Sequence, residues 1–431
     1  MNTYSSYKDS GIEWMGNIPE SWELTKNRFG FLKHKNGLNE SDDTNVLSLT
    51  TTGVKVKRDL NFGKSSESYI GHQLVEQGDI VFTPRDFDQT PILSDVSKYE
   101  GCISNLYIVD KTKENVLNRY VNYYWYGLKY SVDYFKNFSH GMRYSFNRFQ
   151  FDEIPLLIPS LREQQQISDY LDYKTSKIDI LIEKTQQKIE LLKEQRTSLI
   201  NTTVTKGLDP NVEMKDSGVE WIGDIPSGWG VKPLKYVAEY NLSSLGNNTD
   251  PEYKLNYLEI SDVDSLGNIK KPTKYTFSKS PSRCRRIVQK DDIIISTVRT
   301  YLKSIGFIKN EVKDLICSTG FCVITPNKTI IIPSILFYMV RMESFISTVI
   351  SSSVGVSYPS INSDKLVGVK ILIPPLQEQQ QIVDYLDLET SKIDKLVNIE
   401  SKRINLLKEY RQSLISEVVT GKVDVRDEVL L

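Results

Sequence analysis

The sequence is poor in the residues that form disulfides and bind metals, with four cysteines and three histidines among 431 residues. The number and spacing of the cysteines match neither a disulfide framework nor a zinc site. The scattered histidines lack the spacing of metal ligands. We therefore predict no metal, and we expect the thiols of the CSTGFC segment to be buried. The cysteines are Cys102, Cys284, Cys317 and Cys322.

Long apolar runs and an excess of charge are also missing. The longest apolar stretch, TIIIPSILFYMV, is too short for a membrane span and contains Pro333. The N-terminus is polar and lacks the apolar core of a signal peptide. A net charge of −1 argues against a general polyanion binder, although local basic surfaces remain compatible with it. We expect a soluble, cytoplasmic protein of two or three domains.

Motifs of catalysis are absent from the sequence as well. It contains no GxxxxGK[ST] phosphate loop, no Asn-Pro-Pro-Tyr type motif of amino-methyltransferases and no glycine-rich turn for a methyl-donor cofactor. The paired carboxylates Asp42/Asp43 and Asp291/Asp292 lie in turn-like contexts, which favours solvated surface or turn capping. We therefore assign no catalytic residue and no cofactor to this chain.

What the sequence does contain is an internal repeat. Residues 158–209 and 373–424 are identical at about 30 of 52 positions, at a constant offset of 215 residues. A second pair of blocks, KDSGIEWMGNIPESW at 8–22 and KDSGVEWIGDIPSGW at 215–229, lies upstream of them. We call this second pair the leading blocks. The two segments of about 130 residues between these repeats look almost unrelated. This alternation predicts two different recognition domains held in one constant frame.

Each long constant block predicts a helix. Residues 162–205 contain neither glycine nor proline, and Pro159 and Gly207 flank them. Their apolar residues alternate steps of four and three, which is typical of a coiled coil whose seam packs on a partner helix. The obvious partner of each copy is the other copy, in an antiparallel pair. The predicted seam consists of Leu171, Ile178, Ile182, Ile189, Leu192 and Leu199, and of Leu386, Ile393, Val397, Ile404, Leu407 and Leu414.

Two arginines, Arg196 and Arg411, also occupy seam positions. One interpretation is that each side chain extends its charge into water near the end of its helix. The other is that a polar seam residue sets the register or orientation of the helix pair. The sequence leaves both interpretations open.

The variable segments predict two mixed α/β domains with one common layout. Short runs such as QGDIVFTP and KDDIIISTV predict strands, and helical stretches rich in aromatic residues follow them. Each segment then closes with a loop that contains glycine and tyrosine, GMRYSFN or GVSYPSIN, before an apolar strand. We expect recognition domains at 1–160 and 208–375, long helices at 161–207 and 376–422, and a tail at 423–431.

Basic and loop residues of the variable segments are the candidate DNA contacts. The stretch from Lys270 to Lys290 has no acidic residue, although a run of charge is often only a solvated surface. Arg85 and Arg299 follow equivalent strands; arginine commonly reads guanine, but each could instead pair with a carboxylate. The loop residues suit base edges, although turn structure alone could explain the asparagines. The candidates are Lys55, Lys57, Arg58, Arg85, Arg143, Tyr144, Asn147 and Arg148, and Lys270, Lys271, Lys274, Arg283, Arg285, Arg286, Arg299, Ser357, Tyr358 and Asn362.

The motif IPxLxEQQQI followed by a long helix, found twice and each time after a divergent domain, resembles the specificity subunit of type I restriction-modification systems. The SGxEWxGxIPxxW part of each leading block is similar to the sequence that opens each domain in that family. The resemblance covers essentially the whole chain. It implies an α+β fold with a pseudo-twofold repeat, in which two target recognition domains are separated by two long antiparallel helices.

The same resemblance implies a division of labour. Each recognition domain reads one half of a bipartite target in double-stranded DNA, and the helices dock methyltransferase subunits, through which motor-nuclease subunits join. S-adenosylmethionine, ATP and magnesium belong to those partners. Two other functions stay open at this point: a coiled-coil scaffold whose globular ends bind proteins, and a self-contained enzyme. The basic stretch argues against the first, and the missing cofactor motifs argue against the second.

Overall fold

The structure is a computed structural model that describes residues 2–29, 32–34, 37–58, 67–85, 92–132, 134–135, 145, 147–355 and 358–428. The chain divides into two units. Unit 1 comprises Met1–Gln187 and Glu400–Leu431, and unit 2 comprises Lys188–Ile399. Each unit therefore contains one variable domain together with a part of each long helix.

The long helices are α3 (Leu161–Lys206) and α7 (Leu376–Val419). Unit 1 also contains α1 (Asn118–Val132) and α2 (Arg148–Asp152). Its strands are β1 (Tyr7–Asp9), β2 (Asn17–Pro19), β3 (Glu23–Lys26), β4 (Leu32–His34), β5 (Leu47–Thr50), β6 (Gly53–Val56), β7 (Gln73–Val75), β8 (Ile80–Phe82), β9 (Ser94–Val96), β10 (Gly101–Ile103), β11 (Ile108–Thr112) and β12 (Pro155–Ile158).

Unit 2 also contains the shorter helices α4 (Pro333–Val340), α5 (Glu343–Ser351) and α6 (Ser363–Val367). Its strands are β13 (Met214–Asp216), β14 (Asp224–Pro226), β15 (Gly230–Pro233), β16 (Ala238–Tyr240), β17 (Lys254–Leu258), β18 (Thr273–Thr276), β19 (Cys284–Ile287), β20 (Ile293–Ser296), β21 (Ile305–Phe307), β22 (Leu315–Ser318), β23 (Phe321–Pro326) and β24 (Lys370–Ile373).

The two variable domains share one sheet topology. A four-stranded antiparallel sheet has the order β4-β11-β8-β9 in unit 1 and β16-β23-β20-β21 in unit 2. A second sheet of unit 2 has the order β18-β17-β22-β19, with β17 parallel to β22. In unit 1 the pairs β5-β6 and β7-β10 take the same places, and a parallel bridge joins Val46 to Cys102. The predicted mixed α/β fold, repeated in two diverged domains, is confirmed.

The central strands form where the sequence is apolar and β-branched. β20 is buried along its whole length, and an aspartate closes the turn before it. Asp292 Oδ2 accepts a hydrogen bond from Gln289 N at 2.8 Å, and Asp79 Oδ2 accepts one from Glu76 N at 2.7 Å in the equivalent turn of unit 1. The predicted turn context of Asp292 is thus what the structure shows.

The long helices run antiparallel to each other in both units. Within unit 1, the beginning of α3 and the end of α7 share one core, which contains Leu171, Ile178 and Leu414. Within unit 2, the end of α3 and the beginning of α7 share another, with Leu199 and Leu386. The predicted helix pairing is confirmed. Among the seam residues, Leu171, Ile178, Ile189, Leu386, Ile393, Ile404 and Leu414 are buried, and Ile182, Leu192, Leu199, Val397 and Leu407 are half-buried.

Glycine stops both long helices. Gly207 has a φ of 75° and Gly421 a φ of 74°, which is the left-handed conformation that follows many helix ends. Each glycine also lies close to the leading block of its unit. A Cβ at Gly421 would come within 2.3 Å of the ring of Pro19, and a Cβ at Gly207 within 3.4 Å of Trp229. The end of each helix is therefore fitted to a leading block.

The four cysteines are buried and free. Over the described part of the chain, no group of three or more histidine, cysteine, aspartate or glutamate residues could hold a metal ion. In the same part, no single helix is long and apolar enough to cross a membrane; the bent pair α4 and α5 passes that test by length and composition only.

Candidate nucleic-acid interface

In each unit, the loop that follows the central strand meets the loop that contains glycine and tyrosine. In unit 2, Val298 forms an isolated antiparallel bridge with Ser360. In unit 1, Arg85 forms the same kind of bridge with Ser145. Two loops that the sequence offered separately as DNA contacts are therefore adjacent in space in both domains.

Hydroxyl groups at the strand ends show which residues of the two domains are structurally equivalent. Thr83 Oγ1 donates a hydrogen bond to the carbonyl oxygen of Arg85 at 3.1 Å, and Ser296 Oγ donates one to that of Val298 at 2.6 Å. Arg85 is therefore the counterpart of Val298. The predicted equivalence of Arg85 and Arg299 is wrong by one residue, because Arg299 lies one position further along its loop.

The loop asparagines are helix caps. The side chain of Asn147 accepts a hydrogen bond from Gln150 N at 3.0 Å and begins α2. The side chain of Asn362 accepts one from Asp364 N at 3.1 Å and begins α6. Since an N-cap oxygen satisfies an otherwise unpaired helix N–H, the alternative of turn structure explains both residues. Their role as base contacts stays a prediction.

Arg148 is also occupied within the protein. Its Nη1 and Nη2 donate hydrogen bonds to the two carboxylate oxygens of Asp110, at 2.9 and 3.0 Å, and the Asp110 side chain is only 1% exposed. Its Nε donates another to Asp152 at 3.0 Å. The guanidinium of Arg148 is thus engaged with two carboxylates of its own domain, and its role as a DNA contact stays a prediction. The candidates Arg143, Tyr144 and Ser357 lie outside the described residues.

The basic stretch of unit 2 is not one cluster. Lys274 lies on β18 and Arg286 on β19, and these two strands form opposite edges of their sheet. Three strand spacings separate the edges by about 14 Å. The arginines of β19 also make local contacts, since the Arg285 guanidinium lies 4.7 Å from the Phe277 ring centroid. The lysine edge carries Lys270, Lys271 and Lys274, all exposed, and the arginine edge carries exposed Arg283 and half-buried Arg285 and Arg286.

The lysine-bearing edge recurs in unit 1. There Lys55 lies on β6, which is the counterpart of β18, and it is exposed, as is Arg58 just beyond the strand. Lys57 is half-buried. A basic edge strand is therefore common to the two domains, and it is the surface that we expect to contact phosphates.

A cleft extends this basic surface in unit 2. Its volume is about 830 Å³, and its lining includes Lys270, Lys271, Lys309, Arg341 and Arg196. Burial, together with the charge of Arg196, lowers the pKa of Arg341 to about 10. The counterpart cleft of unit 1, about 930 Å³, is lined by as many acidic as basic side chains. The basic surface is therefore more extensive in unit 2.

Replacing Lys270, Lys271 and Lys274 together by alanine is expected to weaken binding to all DNA sequences alike. Each lost phosphate contact should reduce the slope of log K against log salt by about 0.9, because fewer counterions are released. The measurement is DNA binding across salt concentrations, with cognate and scrambled duplexes. The matched control replaces three exposed lysines on other strands of unit 2, Lys215 on β13, Lys232 on β15 and Lys370 on β24. An unchanged slope in the first variant would show that this edge is only solvated surface.

Contacts that sequence reasoning missed hold each leading block to the start of a long helix. Trp22 Nε1 donates a hydrogen bond to Glu163 Oε1 at 3.0 Å, and Trp229 Nε1 donates one to Glu378 Oε2 at 2.9 Å. In unit 1 the hydroxyl of Tyr4 adds a second bond to Glu163, at 2.7 Å. The tryptophan of the leading block and the glutamate of the EQQQ motif are thus partners in both units.

The next residue of that motif anchors the variable domain. Leu117 N donates a hydrogen bond to Gln164 Oε1, and Ile332 N donates one to Gln379 Oε1, each at 2.8 Å. Both glutamines are fully buried. Leu117 and Ile332 immediately precede α1 and α4. The glutamine of the motif therefore holds the start of the domain helix against the start of the long helix. The sequence signal for these contacts was the Glu-Gln pair that is identical at the start of both long helices.

A tyrosine of each variable domain also binds the adjoining long helix. The hydroxyl of Tyr123 donates a hydrogen bond to Asp172, and that of Tyr338 donates one to Asp387, each at 2.6 Å. Burial, and then this hydrogen bond, raise the pKa of Tyr338 to about 12. The two tyrosines are separated by the same 215 residues as the two helices, although the sequences of their domains are otherwise almost unrelated.

The seam arginines pair with the opposite helix. Arg196 Nε lies 2.9 Å from Asp394 Oδ1 in unit 2, and Arg411 Nε lies 2.9 Å from Asp179 Oδ1 in unit 1. Both arginine side chains are largely buried, at 16% and 29% exposure. Of the two interpretations left open by the sequence, the structure favours a polar residue that sets register, since each pair forms at only one alignment of the helices.

Comparison with known proteins gives a consistent result. The family model for the type I restriction modification DNA specificity domain matches residues 30–191 and 226–409. The specificity subunit of the type I restriction enzyme MjaVIII from Methanocaldococcus jannaschii is 25% identical over 342 residues, 76% of this chain and 76% of that protein. The HindI specificity subunit from Haemophilus influenzae is 24% identical over 184 residues, 41% of this chain and 39% of that protein.

Two solved structures share the fold. A chain from a structure of the type I R-M system, described for its complex assembly and conformational transition, aligns with a TM-score of 0.63 and 16% identity. The alignment covers 94% of this chain and 99% of that chain. The HsdS subunit from Thermoanaerobacter tengcongensis aligns with a TM-score of 0.50 and 15% identity, over 94% of this chain and 98% of that chain.

Proposed function

The chain belongs to the family of type I restriction-modification DNA specificity subunits, and on that premise we propose that it is the DNA recognition subunit of such a complex. Each variable domain reads one half of a bipartite target in double-stranded DNA. One observation carries this proposal: two domains with the same sheet topology and the same anchoring contacts differ in the residues of their surface loops. Two domains that share one fold but differ in their surface residues can each recognise a different half-site.

The family is the non-catalytic recognition component of these systems. The chemistry of the complex therefore lies in its partners. Methyltransferase subunits bind S-adenosylmethionine and methylate adenine, and motor-nuclease subunits bind ATP and magnesium and cleave DNA. The assembled complex acts in the cytoplasm.

The outer faces of the long helices support the docking of protein partners. Leu181 and Leu396 are exposed at equivalent positions of α3 and α7, and so are Leu191 and Leu406. Leucines that are exposed at equivalent positions in both copies of a repeat are candidate members of a surface that another protein covers. We assign this surface to the methyltransferase subunits.

Reconstitution tests this function. The chain alone, with S-adenosylmethionine and DNA, is expected to form no methylated product, and its methyltransferase subunit alone is expected to show no sequence preference. Together they should methylate one bipartite motif. The assay is methyl transfer to a plasmid library followed by mapping of the modified positions. Methylation by the chain alone would contradict the proposal, and so would assembly without any sequence-dependent binding, which is the behaviour of a protein-binding scaffold.

A further inference from the structure

We propose that Arg299 and Tyr358 form one base-reading element, and that the half-site read by unit 2 contains a guanine that Arg299 contacts. This inference rests on the proposed function and deepens it, since it names a base of the target and the side chains that select it.

The backbone of this element is fixed by contacts between the loop that contains Arg299 and the loop that contains Tyr358. Arg299 N donates a hydrogen bond to the carbonyl oxygen of Pro359 at 2.7 Å, beside the bridge between Val298 and Ser360. Thr300 Oγ1 lies 2.9 Å from the hydroxyl oxygen of Ser353, which ties the same loop to the end of α5. The position of the Arg299 Cα is thus set by contacts on both sides.

The loop adopts an uncommon conformation to present this residue. Arg299 has φ 51° and ψ 50°, and Lys303 has φ 55° and ψ 33°, so two non-glycine residues within one short loop are left-handed. Such conformations are unfavourable for residues with a Cβ, and they persist where the surrounding structure holds them, often at functional sites. Lys303 is held by Glu343, whose carboxylate oxygens lie 3.0 Å from its Nζ.

The side chain of Arg299 is exposed and oriented. Its guanidinium carbon lies 4.7 Å from the ring centroid of Tyr358, which is 66% exposed. Stacking on an aromatic ring restricts the guanidinium plane while leaving its N–H edge available. That planar fork matches the O6 and N7 acceptors of guanine in the major groove.

The environment of Arg299 differs from that of the structural arginines. Arg148 and Arg196 each pair with an aspartate. No carboxylate among the described residues lies within ion-pair distance of Arg299, and the residue is exposed. An arginine that is exposed, held by its backbone and stacked on an exposed tyrosine is arranged for a ligand outside the protein.

The test uses the reconstituted complex and duplexes that differ at single positions of the unit 2 half-site. With the unsubstituted protein, one G·C pair should be preferred by about tenfold or more over other pairs. Arg299→Ala is expected to lose this preference at that position while keeping discrimination elsewhere. Tyr358→Ala should relax the same position, and Tyr358→Phe, which keeps the ring, should retain the preference.

Replacing that guanine by 7-deazaguanine, which lacks the N7 acceptor, identifies the contact itself. The unsubstituted complex should lose about tenfold in affinity, and the Arg299→Ala complex should lose nothing further, because the two changes remove one interaction. Equal losses in both complexes, or unchanged discrimination by Arg299→Ala, would overturn the assignment of Arg299. If the unsubstituted complex discriminates at no position, the proposed function fails instead, so the two failures are distinguishable.

Discussion

Leu386→Asp is expected to unfold unit 2. Leu386 is fully buried in the core that α3, α7 and the second variable domain share. Removing a buried leucine side chain costs about 2–5 kcal/mol, and a buried carboxylate costs more, because the charge loses its hydration. A domain is stable by only about 5–15 kcal/mol in total. The measurement is amide hydrogen exchange resolved by unit, together with thermal unfolding.

The same helix offers a matched control. Leu388 lies two residues away and is 57% exposed, so Leu388→Asp should change stability by no more than about 0.5 kcal/mol. The repeat offers a second comparison, because Leu171 is the equivalent of Leu386 and is fully buried in unit 1. Leu171→Asp should therefore remove the protection of unit 1. Full protection of the amides of unit 2 in Leu386→Asp would contradict the paired-helix core.

Arg148→Ala is expected to destabilise unit 1 by about 3 kcal/mol, rather than to change which DNA sequence is bound. The variant removes the two hydrogen bonds that Arg148 donates to the carboxylate of Asp110, which stays buried on β11. Breaking a buried ion pair from one side costs several kcal/mol. Arg148→Lys should recover only part of the loss, since an ammonium cannot bind both oxygens in the same geometry. Hydrogen exchange of β11 and thermal unfolding measure the effect.

A double-mutant cycle separates the two roles that were considered for this arginine. Combining Arg148→Ala with Asp110→Asn removes both charges, so the double variant should be more stable than the sum of the single losses implies. Arg58→Ala, at an exposed arginine of the same domain, is the control and should leave stability unchanged. Normal stability of Arg148→Ala, with altered sequence preference, would instead support its assignment as a DNA contact.

The helices could be predicted from the sequence because their signal is periodic and local. Steps of three and four in an uninterrupted run of helix formers indicate a buried stripe, and Leu171 and Leu386 lie on that stripe. The spacing could not separate buried from half-buried positions. Ile182 is half-buried, so a polar substitution there should have a smaller effect than at Leu171.

The layout of the candidate DNA-binding surface could be predicted less well, because it depends on sheet order. Residues 270–290 are contiguous in the chain, yet β18 and β19 form opposite edges of one sheet. Strand order is set by long-range pairing, which a local charge pattern does not record. The role of Asn147 was readable in principle, since an asparagine followed three residues later by a glutamine is the pattern of a capping box.

The hydrogen-bond partners of single polar residues could not be predicted from the sequence, because these contacts also join residues that are far apart in the chain. Glu163 lies 141 residues from Trp22 in the chain, and neither motif contains a feature that predicts contact with the other. Their repetition as Glu378 and Trp229 was visible, but a repeat alone shows that residues are kept, and only the structure shows that they bind each other. The one-residue shift between Arg85 and Arg299 was recognised from the hydroxyl bonds of Thr83 and Ser296.

Exchange of one variable domain tests most directly whether the chain contains two independent DNA-reading domains. Residues 230–370 would be replaced by the matching segment of a family member with a different target, and the methylated positions would be mapped genome-wide in cells that contain the complete complex. We predict that one half of the methylated motif changes to that of the donor, while the other half stays as it was. A motif in which both halves change, or neither does, would contradict the existence of two independent recognition domains.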